Sequence, residues 1–374
     1  MTSGSEDSLG ISVCGGGDVV DIARMVLRYA ARVPGDDPLI GKTIEGRYLV
    51  RRFLGKGGMG SVYEADHVGL GKRVAIKFLP SDGDADAKKR FHREARAASK
   101  VTHEHVVHVF DVGNAGGREY FTMELVEGKE LQKILDADGA LEPERAVAVA
   151  KQMLAGLGAI HAAGLVHRDI KPANIILERR DDGADFVKIM DFGVSKTVAT
   201  GDDTITSMGR VVGTPQFMAP EQIAGGVVDH RADIYAAGIA MFAMLAGNVP
   251  FHGPKVTKVA QQHLVERPAS LSTLRPGLPA AVVAAVARAL EKDPDDRFQS
   301  ARDFADALEG KVVEWKRRGK PTLNDRPPKG GPRSPRAAPD APTLVAAAVT
   351  SRRVWLALGL VGVALVVTAA LLLR

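Results

Sequence analysis

Residues 54–62, LGKGGMGSV, lie between two stretches that read as strands, RYLVRRFL before them and SVYEADH after. Within the run, Gly55, Gly57, Gly60 and Val62 set a G-x-G-x-x-G-x-V spacing, with Leu54, Lys56, Gly58, Met59 and Ser61 between them. Glycines let the backbone bend sharply and approach phosphate oxygens with no Cβ in the way. A dinucleotide-binding unit uses a similar spacing, but its glycines open a helix. Here they open another strand, which predicts a hairpin laid over a ligand and excludes a simple βαβ crossover.

The following segments extend the pattern. KRVAIKFL reads as a strand whose apolar alternation turns Lys77 inward, and an inward ammonium needs an anionic partner. The charged helical stretch AKKRFHREARAASKV supplies Glu94 as the expected partner. VVHVFDVG and REYFTMELV are two more strands. From Leu131 the character becomes helical, in PERAVAVAKQMLAGLGAIHAAG and RADIYAAGIAMFAMLAG, both read as apolar on one face. A small β-rich lobe followed by a larger helical lobe is an α+β arrangement, and it runs out near residue 310.

HRDIKPANIIL, residues 167–177, places His, Arg, Asp, Lys and Asn within eight positions and then turns apolar. With GKGGMGSV, VAIK, DFG and APE it falls in the order and approximate spacing of protein kinases, and residues 48–309 resemble that family. In detail, GGMGSVYEA, GTPQFMAPEQ and DPDDRFQSA are most similar to the eukaryotic-like Ser/Thr kinases of bacteria. The resemblance implies a bilobal protein kinase fold, ATP with Mg2+ (or Mn2+) as cofactors, and protein substrates with Ser or Thr acceptors.

By that resemblance Lys77 reaches the ATP phosphates and pairs with Glu94. Leu54 to Val62 cover the nucleotide, Val62 and Ala75 sandwich the base, and Met123 is the gatekeeper. The Glu124 carbonyl and the Val126 N–H are the hinge groups for adenine. Asp169 takes the proton of the substrate hydroxyl, Lys171 steadies the transferred phosphoryl group, and Asn174 and Asp191 hold the metal. His167 is structural. Thr214 and Pro215 lie under the acceptor residue, Glu221 and Arg297 form a buried ion pair, and Asp233 braces the catalytic loop. Arg168 fits a cationic pocket for a phosphorylated activation loop, in which Thr206 or Ser207, then Thr204, are the expected autophosphorylation sites. The alternatives are an ATP-binding pseudokinase scaffold and a small-molecule phosphotransferase. The first is opposed by the presence of Lys77, Asp169, Asn174 and Asp191, the second by GTPQFMAPE.

Charge is placed unevenly along the chain. The 374 residues carry a net +5, but 311–353 alone holds eleven Lys or Arg against three acids, a local +8. With Arg374 removed as well, residues 1–310 are left at −4, so no nucleic-acid-binding face is expected on the main domain. The single cysteine, Cys14, excludes an intramolecular disulfide and a Cys-based zinc cluster, and its flanks do not make a lipid-attachment site.

Residues 1–46 form an N-terminal segment with no assigned role, either a short docking helix or a loose leader. Residues 47–310 are the kinase-like domain and 311–353 a Pro/Arg/Ala-rich juxtamembrane linker. VWLALGLVGVALVVTAALLL, 354–373, has no charge, and at about 1.5 Å per residue it spans about 30 Å, which predicts a transmembrane helix in contact with lipid. Arg352, Arg353 and the basic linker precede it, which predicts a cytoplasmic kinase domain on a single-pass anchor with no external sensor domain. Members of the family that the chain resembles often pair two kinase domains back to back, and the sequence leaves that kinase-domain dimer open.

Overall fold

The computed structural model describes residues 37–57, 60–79, 91–92, 95–96, 98–191 and 215–313. Glu94, Gly58, Met59, Thr204, Thr206, Ser207, Thr214 and the predicted span 354–373 lie outside the described residues. Among the described residues no helix is long and apolar enough to cross a membrane.

Nine strands are described. A six-stranded antiparallel sheet holds β1 (Thr43–Ile44), β2 (Tyr48–Gly57), β3 (Gly60–His67), β4 (Lys72–Phe78), β5 (Val109–Ala115) and β6 (Arg118–Glu124), in the order β1-β2-β3-β4-β6-β5. Its two faces are covered separately. Tyr48, Val50, Tyr63, Ile76, Phe78 and Tyr120 pack on one, while Ala75, Phe91, Ala98, Val107, Val109, Phe121 and Met123 pack on the other. Alternation along β4 produces this split, because successive residues point to opposite faces of a strand.

The predicted strand over VVHVFDVG starts three residues late, at Val109. Val106 and Val107 pair instead with Ile189, where the Val107 N–H donates to the Ile189 carbonyl at 3.0 Å. Two valines that read as sheet thus tie the segment to the helical part.

The second region starts with β7 (Lys129–Glu130) and the helices α1 (Leu131–Asp138) and α2 (Pro143–Ala162). Strands β8 (Ile175–Arg179) and β9 (Asp185–Ile189) complete a small sheet ordered β7-β8-β9. Then come α3 (Pro220–Ile223), α4 (Arg231–Ala246), α5 (Val256–Val265), α6 (Leu271–Leu274), α7 (Ala280–Ala289) and α8 (Ala301–Leu308). Pro143 suits the first turn of α2 because it lacks the N–H that would be unpaired there. Just beyond α2, Gly164 takes φ +74 and turns the chain away.

Helix α2 buries one face, led by Val149, Met153, Leu157 and Ile160, as predicted. Helix α4 does not: fourteen of its sixteen residues are buried. The expected solvent face is missing because α2, α6 and α7 pack around α4. Gly238 is required here, since a Cβ at that position would sit 2.9 Å from the Ala289 Cβ.

Candidate active site

Strand register assembles the upper half of the site. Val62 pairs with Lys77 across β3–β4, and Ala75 pairs with Met123 across β4–β6. Ala75 and Met123 are buried in one apolar cluster, with Val62, Val126 and Met190 packed half-buried against it. A recess behind Met123 is lined by Ala95, Ala98, Val107, Val109, Phe121 and Asp191. The glycine hairpin closes with Gly57 opposite Gly60. Gly60 has φ +122, and a Cβ there would lie 1.8 Å from the Phe78 carbonyl oxygen, so no other residue fits without moving the strands.

Lys77 is buried, as its inward register predicts. Its Nζ meets Asp191 Oδ1 at 2.6 Å. Among the described residues Asp191, 114 positions away, is an acid on Lys77; the expected partner Glu94 lies outside the described residues. Asp191 itself has φ +45, a strained conformation for a residue with a side chain, and such strain gathers at functional sites.

The lower half is the loop at 167–174. The Asp169 N–H donates to His167 Nδ1 at 3.3 Å, so that nitrogen carries no proton. His167 Nε2 is then the protonated nitrogen and donates to the Met190 carbonyl at 2.9 Å. Both ring nitrogens are engaged and the residue is fully buried, so His167 is structural, as its place in the motif implied.

Lys171 Nζ meets Asp169 Oδ2 at 3.0 Å. Asn174 Nδ2 donates to the same oxygen at 3.1 Å and to the Asp169 carbonyl at 2.7 Å. The Met190 N–H donates to the Asn174 carbonyl at 2.8 Å, which joins the loop to the residue before Asp191. Asn174 spends its amide nitrogen on Asp169, which leaves its amide oxygen as the ligand a hard cation would take. The Asp191 carboxylate, whose Oδ1 meets Lys77, is an oxygen donor of the same hard class.

Asp233, at the start of α4, supports the loop from beneath and is itself buried. Its Oδ2 accepts from the His167 N–H at 2.8 Å and from His161 at 2.8 Å, and its Oδ1 accepts from the Arg168 N–H at 2.7 Å. These bonds hold Arg168 at φ +64. Beside the loop, Glu221 takes two hydrogen bonds of 2.7 Å from Arg297, whose side chain is completely buried. Arg297 also donates to the carbonyls of Arg231, Glu291 and Lys292.

A polar network continues from this pair. Tyr235, stacked under the Arg297 guanidinium at 4.8 Å, shares a 2.9 Å hydrogen bond with His263 Nδ1. His263 lies near the main chain of Gln216, and its Nε2 is without a hydrogen-bond partner among the described residues. Burial, then the nearby Lys292 charge, pushes the His263 imidazole down to about 4. Burial, then Arg297, pushes Lys292 down to about 8, and burial pushes the Tyr235 phenol up.

The resemblance implied only a main-chain role for Glu124. Its carboxylate meets Lys188 Nζ at 2.6 Å and accepts the His108 N–H at 3.3 Å. Lys188, Met190 and Gln222 were missed altogether. Lys188 and Met190 carry no motif signal, and Gln222 closes the stretch GTPQFMAPEQ without its side-chain role being read there, because the partners Glu124, Asn174 and Arg168 are distant in sequence.

The family model for the protein kinase domain matches residues 48–308. The chain belongs to the protein kinase family. Similar curated kinases include serine/threonine-protein kinase pkn3 of Myxococcus xanthus, 39% identical over 76% of this chain and 54% of its own. PrkC of Bacillus subtilis strain 168 is 37% identical over 71% of this chain and 40% of its own. This kinase chain therefore spans about half the length, or less, of the curated relatives it matches. Among solved structures, a mutant PknI kinase domain of Mycobacterium tuberculosis is 31% identical with a TM-score of 0.57, over 72% of this chain and 97% of that one.

Proposed function

We propose that this chain is a serine/threonine protein kinase that transfers the γ-phosphoryl group of ATP to Ser or Thr hydroxyls of proteins. The observation that carries the reading is the meeting of Lys77 with Asp191 at 2.6 Å, next to a loop in which Lys171 and Asn174 both bind Asp169. Lys77 binds the nucleotide phosphates, and Ala75, Val62 and Met123 enclose the adenine. Asn174 and Asp191 would hold Mg2+, which would neutralise phosphate charge. Asp169 orients the acceptor hydroxyl and takes its proton, while Lys171 offsets charge on the phosphoryl oxygens. The acceptor chain lies along Thr214 and Pro215, and autophosphorylation at Thr206, Ser207 or Thr204 orders the activation segment through Arg168.

Transfer of labelled phosphate from ATP and Mg2+ to a generic basic protein tests this reading. Asp169→Asn should lower the rate about 10²- to 10⁴-fold with nucleotide binding retained. Nucleotide binding without any transfer by the wild-type chain would instead identify a pseudokinase scaffold. The apolar run 354–373 is proposed as a single-pass anchor with the kinase domain in the cytoplasm. Carbonate-resistant membrane association that survives deletion of 351–374 would exclude that anchor.

A further inference from the structure

Gln222 uses the two ends of its amide for different purposes. Its Oε1 accepts the Ala219 N–H at 2.9 Å, which caps the short helix α3. Its Nε2 donates to the carbonyl of Arg168 at 3.3 Å, near the long end for such a bond. The two partners fix which end is which, because a main-chain N–H can only donate and a carbonyl can only accept.

The Arg168 carbonyl belongs to the peptide unit that leads into Asp169. The other end of that unit, the Asp169 N–H, is bonded to His167 Nδ1. Arg168 sits at φ +64, which an L-residue adopts only when its surroundings impose it. Asp233 imposes it on the N–H side of Arg168, and Gln222 meets the carbonyl side. Gln222 is also adjacent to Glu221, which Arg297 grips with two hydrogen bonds. A chain of contacts therefore runs from buried Arg297 through α3 to the peptide unit that aims Asp169.

We propose that Gln222 is a positioning residue for phosphoryl transfer: its amide nitrogen holds the Arg168–Asp169 peptide unit so that the Asp169 carboxylate is correctly aimed once α3 is seated. The inference rests on Asp169 taking the acceptor proton. A role limited to capping α3 would need only the amide oxygen, and the two roles separate by substitution. Gln222→Glu keeps size and the acceptor oxygen for Ala219 but cannot donate to the Arg168 carbonyl. Gln222→Met keeps size and loses both bonds.

The test uses the full chain with ATP, Mg2+ and a generic basic protein, with thermal unfolding measured in parallel. Gln222→Glu should lower kcat about tenfold, leave KM for ATP unchanged and keep the wild-type unfolding temperature. Gln222→Met should lose kcat to a similar degree and unfold earlier. Wild-type kcat in either variant would overturn the inference. So would the pattern of a pure cap, in which kcat in both variants falls only in proportion to the fraction unfolded. Asp169→Asn, run beside them, tells the two readings apart. An inactive Asp169→Asn beside a fully active Gln222→Glu removes only the role of Gln222. An active Asp169→Asn removes the role given to Asp169 and this inference with it.

Discussion

The most heavily bonded charges of the helical half and the ion pairs on the rim of the sheet differ sharply in exposure. Around the six-stranded sheet, ion pairs such as Arg51–Asp66 and Arg47–Asp111 stay open to water, with Arg51 at 54% and Arg47 at 44% exposure. In the helical half, Arg297 at 0% exposure and Asp233 at 1% are bonded from several directions. Exposed pairs gain little over their hydrated partners. Buried ones are expensive to disrupt, because removing one partner strands the other without water. The rim pairs of the sheet thus add little to stability, whereas Arg297 and Asp233 hold several main-chain groups in place.

The sharpest way to break this contrast is to remove one acid from the buried set. Glu221→Ala leaves Arg297 without its carboxylate and should cost about 3–5 kcal/mol of stability, read as a lower urea midpoint at unchanged m-value. A loss under 1 kcal/mol would mean that the helical half tolerates charge rearrangement as well as the sheet does.

A second measurement sharpens the contrast through pH. His263 is held near 4 in the folded chain, below its unfolded value of about 6.5. Between those values the unfolded chain binds more protons, so acidification favours unfolding. The effect is absent above the unfolded value and complete below the folded one. The stability of the wild type relative to His263→Gln should therefore fall by about 3 kcal/mol as pH drops from about 6.5 to below 4. A parallel pH dependence of the two proteins would show that burial of His263 does not control its charge.

The smallest effect is expected in the sheet. Arg51→Ala should change stability by less than about 1 kcal/mol, and added salt should erase the difference. A loss near that of Glu221→Ala would dissolve the contrast between the halves.

Much of the fold was legible in the sequence because local chemistry dictates it. The hairpin at 54–62 follows from glycines set between strands, and the inward register of Lys77 follows from period-two alternation. The loop at 167–174 was legible as a concentration of polar groups that no core segment would carry. What was not legible depends on distance along the chain. Asp191 on Lys77, Lys188 on Glu124 and Ile189 on Val107 join segments separated by 64 residues or more. Nothing in the local pattern of either segment names the other. Helix α4 was misread as one-sided for a related reason, since only the packing of its neighbours shows that every side is covered.

The near-complete coverage of α4 ties the loop to the packing of the helical half. A helix with so little wet surface draws its stability from its neighbours rather than from its own turns. Asp233 rides on its first turn, and the backbone beneath Asp169 depends on Asp233. Loosening that packing would withdraw Asp233 from the His167 and Arg168 N–H groups, so a fault deep in the helical half would be felt at the backbone of the loop.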